Sequence, residues 1–274
     1  MLRVLPFLAL FAPSVALADA PTHAVRLEAK IAAAEAPLAD GVRWRVFRER
    51  RVDDAARTPL IAVAEAEGGT TELRLPAGAY YLHTAYGQAG RTVQLTVEGD
   101  MERSIVLDAG GLSLDATAGG EAIDPSRLRF DIYEHRQDAA GKRRIVAFNV
   151  APGRVARLNA GTYHVVSRYG RLRTEVRADL VVRAGQTTQA VLQHRGAEVG
   201  LKLVSAPGGI PIANTAWSVF SDQGEKLFES ARNAPRIVLS EGDYEVVAQN
   251  GARTVKQSFT VSAGQTQDLE LLLP

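Results

Sequence analysis

The sequence predicts an all-β chain of three tandem antiparallel sandwiches, and three observations carry that reading. First, the phrase Leu-x-x-Gly-x-Tyr occurs three times, at Leu75/Gly78/Tyr80, Leu158/Gly161/Tyr163 and Leu239/Gly242/Tyr244. A repeat of roughly 80–85 residues is too long for a solenoid unit and suits a small domain. Second, each copy holds about seven short alternating segments with turn signals every ~8–12 residues, the pattern of a β-sandwich. Third, no segment carries a convincing helical period.

Taken in chain order, the first element is a targeting signal. Arg3 supplies a short basic region, Val4 to Leu17 is mostly apolar, and Ala16-Leu17-Ala18 is a small-residue cleavage site. Cleavage is expected after Ala18, making 1–18 a signal peptide. The apolar run falls short of the ~20 residues that span a bilayer, and the reading includes no transmembrane span. The three repeats are expected at 22–108, 109–196 and 197–274.

Each copy opens with an apolar pair two residues apart: Leu27/Ala29, Leu112/Leu114 and Leu201/Leu203. An aromatic phrase follows, Trp44-Arg-Val-Phe47, Phe130-Asp-Ile-Tyr133 and Trp217-Ser-Val-Phe220. Residues two apart share a strand face, so Trp44/Val46, Phe130/Ile132 and Trp217/Val219 point inward while Arg43 and Arg45 point out. The next segment varies most, with Ile61/Val63, Ile145/Ala147 and Leu227. The Ala-rich run Ile31 to Ala36 lies between the first two strands of copy one and reads as a loop.

The Leu-x-x-Gly-x-Tyr phrase then starts a strand. Tyr80, Leu82, Thr84 and Tyr86 fall on one face, matched by Tyr163 to Tyr169 and by Tyr244 to Asn250. A late-strand Tyr in a sandwich folds over the preceding corner and bonds a backbone group a few residues upstream. That places the three hydroxyls near Pro76, Asn159 and Ser240. The preceding Gly permits a positive-φ turn, so the phrase reads as scaffold. Hairpin glycines Gly87, Gly170 and Gly251 lead to a further strand, and Gly99, Gly185 and Gly264 lead to the last, with Ile105/Leu107, Ala190/Leu192 and Leu269/Leu271. The joints, such as Asp108-Ala109-Gly110, are too short to be flexible linkers.

The third copy reads Leu239-Ser-Glu-Gly-Asp-Tyr-Glu-Val-Val, then Phe259-Thr-Val-Ser-Ala-Gly-Gln-Thr, then Leu269-Glu-Leu-Leu-Leu. This resembles PEGA-type domains and the wider carboxypeptidase-regulatory-like, prealbumin-like sandwiches of bacterial envelope proteins. All three copies resemble tandem-repeat proteins exported by Gram-negative bacteria. The resemblance implies an Ig-like or prealbumin-like fold, a periplasmic or secreted location, and a binding, spacer or assembly role without catalytic residues. The related Cna-B-type domains form Lys-to-Asn isopeptides. Here Lys202, between Leu201 and Leu203, is expected to face solvent, and the last strand offers Asp268 and no Asn.

Composition narrows the chemistry. Lys+Arg number 32 against 31 Asp+Glu, and this balance gives no general attraction to nucleic acid. With no cysteine, thiol catalysis, thiolate metal sites and disulfides are excluded. His23, His83, His135, His164 and His194 show no metal-ligand spacing and are expected to be exposed. There is no Gly-x-Ser-x-Gly elbow and no phosphate loop. No catalytic, metal or cofactor residues are assigned, and no cofactor is expected. The functional reading is a non-enzymatic binding or spacer protein of the envelope. The alternative is a carbohydrate-binding accessory protein or a hydrolase acting on envelope polysaccharide, with Tyr81 the clearest outward aromatic. If a surface meets a charged partner, it is Arg43, Arg45, Arg48, Arg50 and Arg51 in copy one. The partner is then another envelope protein or an anionic envelope component, since guanidinium forks fit phosphate and carboxylate. The competing reading is a solvated strand face paired with Glu49, Asp53 and Asp54.

Overall fold

The structure, a computed structural model, describes residues 21–49, 62–170 and 174–274. The signal segment lies outside the described residues, as do Arg50, Arg51, Asp53, Asp54 and Ile61. The first unit comprises β1 (Thr22–Lys30), β2 (Val42–Arg48), β3 (Ala62–Glu67), β4 (Thr70–Pro76), β5 (Gly78–Tyr86), β6 (Ala89–Val97) and β7 (Met101–Val106). The second runs β8 (Ala109–Ala118), β9 (Glu121–Ala122), β10 (Leu128–Gln137), β11 (Arg143–Val150), β12 (Ala156–Asn159), β13 (Gly161–Tyr169), β14 (Thr174–Val182) and β15 (Thr187–His194). The third runs β16 (Gly196–Val204), β17 (Thr215–Ser221), β18 (Lys226–Ser230), β19 (Arg236–Ser240), β20 (Gly242–Asn250), β21 (Arg253–Val261) and β22 (Gln267–Leu272).

Every unit pairs a four-stranded sheet with a second sheet, three-stranded in the first and third units and extended to four strands in the second by the short β9. In the first unit the orders are β3-β2-β5-β6 and β4-β1-β7, and the other two repeat them. The sheets built around β2, β10 and β17 are antiparallel as expected. The second sheets are mixed, because the first and last strands run parallel in all three units. Strand parity explains this. If each connection reverses the chain, the first and seventh strands travel the same way, and placing them side by side makes them parallel.

The alternating pattern builds three cores. Trp44, Val46, Tyr80 and Leu82 are fully buried in the first, Phe130, Ile132 and Val165 in the second, and Trp217, Val219 and Val246 in the third. In β3 it is Ala64 and Ala66 that pack on the core, while Val63 is exposed. The strand pairing also shifts the alignment of the copies. Leu75 faces His23, Leu158 faces Gly110 and Leu239 faces Ala197. Leu27 therefore corresponds to Leu201, as matched on sequence alone, and to Leu114, two residues from the Leu112 matched to it. A slip of two leaves every side chain on its own face, so apolar patterning could not detect it.

The repeated tyrosine closes the corner in each unit. Its hydroxyl donates to the carbonyl four residues upstream, Tyr80 to Pro76 (2.8 Å), Tyr163 to Asn159 (2.9 Å) and Tyr244 to Ser240 (2.8 Å). The glycine two residues before each sits at φ between +148° and +156°, where a Cβ would be strained. Tyr80→Phe is expected to cost about 0.5–1.5 kcal/mol, the net worth of one hydrogen bond. Tyr80→Ala, at a fully buried site, is expected to cost about 3–5 kcal/mol, and Tyr244→Ala less, because Tyr244 is half-buried. Urea unfolding of the full chain checks the order.

Candidate functional site

The surfaces that could meet a partner are set by how the units join. At the first joint the Gln88 amide donates to the Arg157 carbonyl (3.0 Å), the Gly90 amide to Asn159 Oδ1 (3.1 Å), and Asn159 Nδ2 to the Leu107 carbonyl (2.8 Å). The Arg157 guanidinium lies 4.6 Å from the Tyr86 ring centroid, a cation–π contact. At the second joint the same hairpin turn meets the same following strand. A Cβ on Gly170 would sit 2.6 Å from the Val238 Cβ, and one on Gly264 would sit 2.4 Å from the Ala118 carbonyl oxygen. Val238 belongs to the second core although it lies on β19, and Ala109 belongs to the first although it opens β8. Arg127 of the second unit pairs with Glu198 of the third, which also takes Arg236.

The first-unit arginine face is partly neutralised by its own sheet. Arg45 Nε lies 3.2 Å from Glu65 Oε1, and Arg43 stands opposite Glu67 in the β2–β3 register. Arg48 is exposed, its guanidinium 5.9 Å from the Tyr80 ring centroid. Glu49 instead accepts from the Tyr81 hydroxyl (3.1 Å) and from Gln94 (3.0 Å), which raises the Tyr81 pKa. Tyr81 is outward, as expected, at 39% exposure. Lys202 also points away from the core and binds Glu270 at 2.7 Å.

The structure assembles three groups that spacing did not reveal. The first is a cleft of about 620 Å³ at the second joint, lined by Arg127, Arg129, Arg168, Arg232 and Arg236. The second is a surface triad in which His164 and His135 approach Asp179 Oδ1 at 2.8 and 3.5 Å. The His164 hydrogen bond is the main cause holding the Asp179 carboxyl below its ordinary range. Among the described residues, no cluster of three or more His, Cys, Asp or Glu has a metal-holding arrangement. The third group is buried. His194 was expected to be exposed and is 2% exposed, because it holds the place that Leu107 fills in the first unit. Its Nε2 lies 2.8 Å from Ser167 Oγ, its ring is edge-on to Tyr169 at 5.8 Å, and Nδ1 has no partner. Aligning the copies from the strand pairing would have found it.

Residues 198–273 match the family described as the Rhizobiales growth-associated tandem repeat domain. No curated protein matches this chain. Among solved structures, it is similar to the Bacillus anthracis TIE protein at 12% identity, covering 93% of this chain and 51% of that one, with a TM-score of 0.26. The chain therefore spans about half the length of that protein. It is similar to GBS52, the minor pilin of Streptococcus agalactiae, at 12% identity over 63% of this chain and 95% of that one (TM-score 0.34). It is also similar to BcpA, the major pilin subunit of Bacillus cereus, at 10% identity over 92% and 99% (TM-score 0.26). Similarity at this level transfers no activity and no partner.

Burial lowers the His194 pKa from 6.5 to about 4. Between those values the unfolded chain takes up a proton that the folded chain refuses. Stability is therefore lost as pH falls from 6.5 towards 4, by up to about 3 kcal/mol. His194→Gln is expected to reduce the gap between urea midpoints at pH 7 and pH 4.5; a wild-type gap unchanged in the variant would assign the acid loss to carboxylates.

Proposed function

We propose that the chain is a non-enzymatic, exported binding and spacer protein of the cell envelope, periplasmic or secreted. The observation that carries this reading is the repeated joint, where turn glycines leave no space for a side chain and core residues cross from one unit to the next. Joints of that kind suit a protein that holds surfaces at fixed separation. The signal-like segment and the likeness of the third unit to PEGA-type domains support the envelope location. Among the described residues, no helix is long and apolar enough to cross a membrane.

In this reading 22–108, 109–196 and 197–274 are separate folding units. Residues 197–274 expressed alone are expected to be β-rich by circular dichroism, with ~3–6 kcal/mol of stability for so small a core. A disordered spectrum would show that the third unit depends on the second.

The outward first-unit arginines, Arg43, Arg45 and Arg48, are the proposed contact for an anionic envelope component or an acidic protein face. The corresponding positions are Arg129, Asp131 and Glu134, and Ala216, Ser218 and Ser221, so the fold does not require arginine there. Binding of lipopolysaccharide to the full chain is expected at low salt and should weaken towards 0.15 M, because exposed charges are screened within about 8 Å there. The variant with Arg43, Arg45 and Arg48 changed to Ser is expected to bind at least tenfold more weakly. Equal binding by the variant would remove this face from the proposal.

A further inference from the structure

The cleft at the second joint holds more positive charge than its surroundings neutralise. Of its five arginines, Arg168 is gripped by the buried Asp131, with Nη1 to Oδ2 at 2.8 Å and Nη2 to Oδ1 at 3.0 Å. Arg127 and Arg236 share Glu198, and Arg236 also reaches Asp268 at 3.0 Å. Three carboxylates thus serve these guanidinium groups. The cleft's own carboxylate, Glu229, is taken by Lys226 at 3.2 Å.

Arg129 and Arg232 remain. Among the described residues neither has a carboxylate within ion-pair distance. Arg129 Nη1 donates to the carbonyls of Pro125 (2.7 Å) and Leu128 (2.6 Å), which fixes the guanidinium in place and leaves its other donors available. It also stands directly opposite Arg168 in the β10–β13 register, and like charges in that position destabilise a strand pair. Arg232 is exposed on the loop between β18 and β19.

The joint does not call for these residues. At the first joint the positions matching Arg127, Arg129, Arg168 and Arg236 are Gly41, Arg43, Ala85 and Val155. Only one of the four is basic, yet that joint also packs its hairpin glycine, Gly87, against the matching strand of the following unit. The remaining lining carries Ser126, Ser230 and Asn149 beside Phe228 and Pro235. Hydroxyl and amide groups beside apolar surface suit a polyhydroxylated ring better than a bare ion.

We infer that this cleft is a binding site for an acidic glycan, whose carboxylate or phosphate groups engage Arg129 and Arg232 while its hydroxyls meet the Ser and Asn side chains. It is independent of the first-unit arginine face, which the cleft variants below leave intact. The already paired Arg168 and Arg127 form the wall, with Arg168 stacked 5.3 Å from the Phe148 ring centroid. Guanidinium forks are matched to both oxyanions, so the source of the charge is decided by ligand choice.

The test is calorimetric titration of the full chain at low and at physiological salt with tetragalacturonate, mannose 6-phosphate, neutral maltotetraose and hexaglutamate. Saturable, equimolar binding of one or both acidic sugars is expected, with no binding of maltotetraose. Stronger binding of tetragalacturonate assigns carboxylate, and stronger binding of the sugar phosphate assigns phosphate. Arg129→Ser with Arg232→Ser is expected to weaken binding at least tenfold, and Arg103→Ser, an exposed first-unit arginine on β7 outside both basic surfaces, to leave it unchanged. Arg232→Ser alone, on an exposed loop, keeps the test open if the Arg129 change impairs folding; it too is expected to weaken binding. Failure of both acidic sugars to bind would overturn the inference. So would preference for hexaglutamate, equal binding by the cleft variants, or loss of binding only in the first-unit variant.

Discussion

Close contact between turn glycines and the adjoining unit is the constraint on which the molecule's larger organisation rests. Gly170 and Gly264 adopt φ of +73° and +74°, a region where L side chains are disfavoured. At both positions an added Cβ would also collide with the neighbouring unit, against Val238 and against the Ala118 carbonyl. Conformation and contact therefore demand glycine independently. With the turn lodged in its neighbour, the joint surfaces become part of the cores: Val238 completes the second and Ala109 the first. The cleft, the Arg127–Glu198 pair and the burial of Tyr169 and His194 all lie around the second of these joints.

The two joints share a backbone plan and differ in side-chain chemistry. Arg157 over Tyr86 makes the first polar and cationic. At the second, Val238 takes the place of Arg157, and Tyr169 is buried against His194. Burial is the main cause raising the Tyr169 pKa, with Glu198 adding to it. In the third unit the matching position is Asn250, whose amide donates to the carbonyls of Ala213 (2.7 Å) and Asn214 (3.2 Å). A Tyr at this position serves a neighbouring unit, whereas the Asn closes its own loop. A joint fixed through backbone leaves its side chains open to change, and so a binding surface can arise at one joint and not at another.

What was legible in the sequence follows from which signals are local. Alternation two residues apart placed Trp44, Phe130 and Trp217 in the cores, and the corner geometry of Tyr80, Tyr163 and Tyr244 followed from position alone. Mixed pairing in the second sheets was missed because strand direction depends on the path between sheets. The copy alignment slipped by two at the first strand because a period of two hides such a slip, and the same slip concealed His194 behind its match to Leu107. The cleft was out of reach for a different reason. Arg129, Arg168 and Arg232 come from separate strands and loops of two units, and only packing brings them to one cavity. Sequence analysis favoured the arginines nearest one another in the chain. Adjacent strand positions, however, tend to find cross-strand partners, as Arg45 does in Glu65.

That contrast decides how the two basic surfaces are weighed. An exposed strand-face pair such as Arg45–Glu65 sits in high dielectric and is worth about 0–1 kcal/mol, so the face is a partly neutralised and weakly focused surface. The cleft arranges its charges in depth. Asp131 is 1% exposed and accepts from the Asn149 amide at 2.9 Å as well as from Arg168. A buried carboxylate with its lone pairs occupied is committed to orienting one guanidinium. Its neighbour Arg129 is held by carbonyls, which supply geometry without neutralising the charge. Concave walls also concentrate the field of such a cation in a way that a flat strand face does not. The stronger field therefore lies where two units meet, and it exists only while the joint that forms the cleft stays closed.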